Sequence, residues 1–184
     1  LSSSSAASDV YKRQALEIAD TGEKVIIWSY FVNSLDTMEA EIKNNYGIEP
    51  LVLKGGVDDD FVINTFNEKN NRLILLANPE KGAEGISLHK NCRNAIYVSR
   101  TYKAGQYLQS RDRIHRIGIK KSPTVYLLQS IPPKGLFDVE IHLSDNLNRK
   151  IQLMYKLFED PELNELSLLE DEIKTQIGDA KTNI

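Results

Sequence analysis

Gln106, Gln109, Arg113 and Arg116, within the stretch QYLQSRDRIHRIG, follow one another at intervals of three, four and three. On an α-helix that spacing gathers all four within a sector of about 80°. Tyr107, Ile114 and Ile117 fall on a neighbouring face, where they can anchor the helix to a sheet. Two guanidiniums one turn apart form a rigid array of donors suited to phosphate oxygens. The same spacing also fits a solvated basic face with ion pairs, Asp112 being close by.

The elements that must position these residues are readable around them. Lys24–Ser29 is a continuous apolar run rich in β-branched residues, the pattern of a strand buried on both faces of a parallel sheet. Val32–Asn45 carries Leu35, Met38 and Ile42 at helical spacing and stops near Gly47. Pro50–Leu53 reads as a second strand, followed by a Gly55–Gly56 turn. Asp58–Asp60 then cap a helix that runs to about Asn67. Consecutive aspartates on a helix do not converge on one ion, so capping is preferred to a metal cluster. Leu73–Ala77, Ala95–Ser99 and Thr124–Leu128 supply three further strands, with a glycine-bearing loop, Lys81–Leu88 (KGAEGISL), after the first of them. Strands alternating with helices predict an α/β fold, a parallel sheet covered on both faces.

Domain boundaries follow from composition. Residues 1–14 open with LSSSSAAS and read as a disordered leader or a remnant of cloning or sequencing. Residues 15–131 form the α/β lobe, beginning with a short helix, Ala15–Asp20, that ends near Gly22. Pro132–Pro133 and Gly135 break the pattern, and residues 132–184 read as a helical extension. There Leu147, Ile151, Met154 and Phe158 recur at four, three and four, and a second helix spans about Glu162 to Ile177. That tail is read as folding back as a brace on the lobe or on a partner lobe.

A length of 184 residues suits one domain with a real core. Its net charge of −3 means that any nucleic-acid contact rests on a local basic patch rather than on a global field. The single cysteine, Cys92, excludes an internal disulfide framework and fits a reducing compartment. No base stands near it in sequence, so it reads as a small packed residue, not a nucleophile. No run approaches the roughly 20 apolar residues of a membrane span, and no secretory signal is visible. A cytoplasmic protein without membrane contact is the expectation.

The series EKVIIWSYF, LILLANPEKGAEGISL and QSRDRIHRIG resembles motifs IV, V and VI of helicase superfamily two, most closely its Swi/Snf-type ATPases. The resemblance covers about residues 23–158, and its last motif is the most specific part. It implies a RecA-like parallel sheet sandwiched by helices, with a C-terminal α-helical extension. It also implies that ATP and its Mg²⁺ are held by an N-terminal RecA-like lobe of the same protein. The chain itself contains no GxxxxGK[ST] and no apolar strand ending in adjacent acids, the parts that the family keeps on that other lobe.

By the same resemblance Arg113 and Arg116 are arginine fingers that reach the γ-phosphate, and Gln109 helps close the lobe interface. Gly85 lets backbone approach the nucleotide, flanked by Glu84 and Ser87. Ser87 stands where an acidic or amide residue is usual, Ala83–Glu84 where the family reads GG, and Ile119 where it reads glutamine. Those departures suggest a divergent prokaryotic or phage branch; a eukaryotic member would be nuclear. His115 lies on another side of the helix and is assigned to packing. Candidates for contact with a DNA backbone are Ser29, Tyr30, Lys54, Asn78, Lys81, Arg100, Thr101 and Lys103, types suited to phosphate positioning. The function implied is that of the second lobe of an ATP-dependent translocase on double-stranded DNA, inactive as an isolated fragment. A strand-separating helicase and a non-catalytic RecA-like interaction module are the alternatives.

Overall fold

A computed structural model describes residues 3–55, 58–68, 73–80, 88, 91–114, 122–128 and 139–158. Within them lie α1 (Ser3–Asp20), β1 (Lys24–Trp28), α2 (Val32–Tyr46), β2 (Leu51–Leu53), α3 (Asp59–Glu68), β3 (Ile74–Ala77), β4 (Cys92–Tyr97), α4 (Ala104–Asp112), β5 (Thr124–Leu127) and α5 (Val139–Phe158). The strands form one sheet in the order β2-β3-β1-β4-β5. Every pairing is parallel. This is the parallel α/β sheet expected from the alternation of strands and helices, and it agrees with the RecA-like sheet that the resemblance implies.

Five consecutive residues of β1 are buried, which is what a central parallel strand requires. One face of the sheet presents Val25, Ile27, Ile74, Leu76 and Ile96, and α2 lays Leu35, Met38 and Ile42 on it, with α1 alongside through Ala15 and Ile18. Each such side chain taken fully out of water contributes about 1.5–3 kcal/mol before entropy is counted. The opposite face begins with Lys24, whose Nζ donates to the Phe66 and Asn67 carbonyls at the end of α3. A cation there satisfies carbonyls that the helix leaves open and opposes the negative end of its dipole. Burial lowers the Lys24 pKa from its ordinary value. On the same face Trp28 stacks on Tyr97 at 6.3 Å, and Tyr97 meets Tyr107 of α4 edge-on at 5.3 Å.

Helix termini follow local chemistry. Gly47 takes φ 64° at the end of α2, and its N–H donates to the Lys43 carbonyl. Asp58 Oδ1 accepts the Phe61 N–H at 3.1 Å, so it caps α3 as its position in the sequence predicts.

Three boundaries differ from the sequence reading. α1 starts at Ser3, not Ala15, so the leader expected to be disordered is helical, with Tyr11 and Lys12 buried. Tyr11, Ala15 and Ile18 recur at four and three, which continues one apolar stripe back through that boundary. β4 begins at Cys92 rather than Ala95, and α4 ends at Asp112, before both arginines of the motif.

The chain divides into two compact units, one comprising residues 1–101 and 105–130, the other residues 102–104 and 131–184. In the second, α5 buries Leu143, Leu147 and Ile151, and its Lys150 Nζ donates to the Tyr102 carbonyl. The second tail helix, about Glu162 to Ile177, lies outside the described residues.

Candidate functional site

Parallel strands bring the residues that follow them to one edge, and in open α/β sheets ligands bind at that edge where the strand order reverses. Here the reversal falls between β1 and β4. The ladder continues one residue past the strands: Ser29 N–H donates to the Ala77 carbonyl, Asn78 to Leu53, Val98 to Trp28 and Leu128 to Tyr97, each at 3.0 Å. That holds the ends of all five strands in register.

Side chains then tie these ends together. Ser99 Oγ accepts the Tyr30 N–H at 3.0 Å and lies 3.3 Å from Ser29 Oγ. Asn78 Nδ2 donates to the Tyr30 carbonyl at 3.1 Å, while its Oδ1 accepts the Glu80 N–H at 2.9 Å. Ser29 and Asn78, expected to face a phosphate backbone, are buried and use these groups inside the lobe. Lys54 pairs with Asp36. Arg100 is buried, Thr101 half-buried and Lys103 exposed. Tyr30 Oη is buried with no hydrogen-bond partner among the described residues. Burial, and then the nearby Glu80 carboxylate, push its pKa up, so the phenol stays neutral.

The motif helix is fixed from below. Tyr97 Oη lies 2.7 Å from Ser110 Oγ, which donates to the Tyr107 carbonyl at 2.7 Å. Complete burial holds the Tyr97 pKa well above its ordinary value. Gln106 Nε2 reaches Glu80 Oε1 at 3.3 Å, and Gln109 is exposed. After Asp112 the chain tightens: Ile114 N–H donates to the Arg111 carbonyl at 3.0 Å, three residues back. Arg113 therefore sits half-buried in a turn, and the expectation that it shares one helix face with Gln106 and Gln109 is corrected. The Arg113 carbonyl accepts the Leu88 N–H at 3.2 Å. That bond joins the end of the glycine-bearing loop to the arginine motif. Tyr107 and Ile114 are buried, as the neighbouring face was read. Arg116, His115, Ile117, Gly85, Ser87 and Lys81 lie outside the described residues.

Sequence reasoning passed over residues that hold the site in place: Ser99, Ser110 and Tyr97. A hydroxyl at the end of a strand was the signal available for Ser99. Among the described residues no group of His, Cys, Asp and Glu could hold a metal ion, and no helix is long and apolar enough to cross a membrane.

The model of the helicase conserved C-terminal domain matches residues 11–118. Transcription termination factor 2 of Drosophila melanogaster is 25% identical over 157 residues, which cover 80% of this chain and 14% of that protein. A Caenorhabditis elegans homologue of a SWI/SNF-related, matrix-associated, actin-dependent regulator of chromatin, subfamily A, containing DEAD/H box 1, is 31% identical over 140 residues, covering 74% and 13%. Among solved structures, the C-terminal part of the Fun30 ATPase domain superposes with a TM-score of 0.65 at 26% identity, covering 76% of this chain and 44% of that one. The chain thus spans about one-seventh of the curated relatives it matches. Matched relatives come from animals, fission yeast and mycoplasmas, which does not favour a prokaryotic or phage branch.

Proposed function

This chain belongs to the helicase conserved C-terminal domain family, as the C-terminal RecA-like lobe of a Swi/Snf-type superfamily two ATPase, and from that premise we propose that it is the second lobe of an ATP-dependent translocase on double-stranded DNA. ATP is the substrate, and its Mg²⁺ would be held by the N-terminal lobe of the full-length protein. Arg113 and Arg116 reach the γ-phosphate across the cleft as the lobes close. Gln109, Gly85 and Ser87 complete this side of the nucleotide site. Charge develops on the terminal phosphoryl oxygens during transfer, and guanidiniums placed there stabilise it. Ser29, Tyr30, Lys54, Asn78, Lys81, Arg100 and Lys103 lie on segments that track the DNA backbone. Cleft opening and closing then becomes stepping along the duplex.

One observation supports the reading: the Leu88 N–H donates to the Arg113 carbonyl at 3.2 Å, which joins the last residue of the Lys81–Leu88 stretch to the first arginine of the motif.

The test is DNA-stimulated ATP hydrolysis by the full-length gene product beside its Arg113→Ala and Arg116→Ala variants. We expect strong stimulation in the wild type and a loss of about 10³-fold or more in kcat in each variant. Stimulation that survives both substitutions removes the arginine-finger role. The isolated chain, whose sequence holds no GxxxxGK[ST] cradle, is expected to show no turnover above buffer.

A further inference from the structure

One flank of α4 is tied down by side-chain bonds at Gln106 and Ser110. At 100° per residue these positions stand about 40° apart around the helix and one turn apart along it. Ser110 Oγ lies 2.7 Å from Tyr97 Oη of β4. Gln106 Nε2 donates at 3.3 Å to Oε1 of Glu80, just past the end of β3. β3 and β4 flank β1 on opposite sides in the sheet. α4 is therefore braced from either side of the central strand.

Glu80 is itself placed by the strand ends. Its N–H donates to Asn78 Oδ1 at 2.9 Å, and Asn78 Nδ2 donates to the Tyr30 carbonyl at 3.1 Å. Asn78 is buried. A line of hydrogen bonds thus begins inside the lobe at Tyr30 and reaches α4 through Asn78 and Glu80.

The Gln106 amide adopts an unfavourable setting to make its bond. A carboxylate only accepts hydrogen bonds, so the amide must turn its NH₂ towards Glu80. Its Oε1 is then buried with no partner among the described residues. A buried acceptor left unsatisfied opposes folding, so stability alone does not select this arrangement. Apolar packing through Tyr107 and Leu108 is non-directional and tolerates small rotations of the helix, whereas hydrogen bonds are directional. α4 ends at Asp112, so its rotation sets where Arg113 leaves it.

We propose that Glu80 and Gln106 are positioning residues for ATP hydrolysis, a role that rests on Arg113 acting as an arginine finger. Their bond fixes the rotation of α4 and with it the line along which Arg113 approaches the γ-phosphate. Both act through Arg113 and not on the nucleotide itself.

The test uses the full-length gene product with saturating duplex DNA and compares Glu80→Ala, Glu80→Gln, Gln106→Leu and Arg113→Ala. Glu80→Ala and Gln106→Leu should each lower kcat by about ten- to a hundredfold while KM for ATP stays within about twofold. Glu80→Gln should recover most of the wild-type kcat, because a carboxamide oxygen also accepts the Gln106 N–H. Combining Glu80→Ala with Gln106→Leu should do no more harm than the worse single change, since both remove one bond. Glu80 is exposed, so substitutions there should leave the urea midpoint in place. Wild-type kcat in Glu80→Ala and Gln106→Leu, beside an inactive Arg113→Ala, overturns the positioning role and leaves the arginine finger standing. Hydrolysis that survives Arg113→Ala removes the finger itself, and the positioning role with it. A Glu80→Gln variant as slow as Glu80→Ala also overturns the role, because charge and not the bond would then matter.

Discussion

At the scale of single residues, burial decides what Cys92 can do. Its Sγ lies 3.5 Å from the Lys24 carbonyl and 3.4 Å from that of Asn94, which it can approach only as a thiol donor. Burial pushes its pKa up to about 12. The folded pKa thus lies above the unfolded value of about 8.5. The thiol's contribution to stability is then fully present below about pH 8.5 and is lost as pH rises towards 12, by about 1.4 kcal/mol per unit in between. Urea midpoints measured at about pH 8 and about pH 10, on either side of the unfolded value, should therefore fall further in the wild type than in Cys92→Ala. An equal loss in both proteins would show that the thiol is not held protonated by the fold. The same burial makes Cys92 silent towards alkylating reagents until the chain unfolds.

Elements are governed by their ends. Gly47 stands at φ 64° with nothing within 4 Å of where a Cβ would be, so its substitution meets backbone strain and no clash. Gly47→Ala should cost about 1 kcal/mol, and Gly47→Asn less, because asparagine tolerates the left-handed region. Thermal or urea denaturation ranks the three proteins; alanine matching glycine would mean that α2 simply ends one residue earlier. The positions of α2, α3 and the five strands were legible because apolar runs and caps are local signals. β4 was read as starting too late because Arg93 and Asn94 disguise it. In the fold Arg93 pairs with Glu23, and Asn94 Nδ2 donates to Glu23 Oε2 at 3.0 Å and the Lys24 carbonyl at 3.1 Å, so neighbours satisfy polar groups inside a buried strand. The end of α4 was hidden for a related reason. Helical spacing continues through Arg113 and Arg116, whereas α4 ends at Asp112 and the Arg113 carbonyl accepts the N–H of Leu88, 25 residues earlier. Residue types announced the arginine motif; the long-range bond to the Arg113 carbonyl is one that no local pattern encodes.

Across the 184-residue chain, a net charge of −3 means that any attraction to DNA must come from particular cations, each of which should be visible in the salt dependence. The proposed DNA-facing candidates separate into two kinds by burial. Asn78 and Ser29 join strand ends from buried positions, whereas Lys103 is exposed. In the full-length protein, Lys103→Ala should weaken duplex binding about equally for all sequences and flatten the slope of log K against log salt by about 1. Its stability should stay within about 0.5 kcal/mol of wild type. Asn78→Ala should do the reverse, costing about 1 kcal/mol of stability through the lost bond to Tyr30 while leaving the slope unchanged. Fluorescence anisotropy titrations at several salt concentrations, paired with denaturation midpoints, read both quantities on the same preparations. If Asn78→Ala alters the slope and Lys103→Ala does not, the DNA path runs over the strand ends themselves. The internal staple would then have to open when DNA binds.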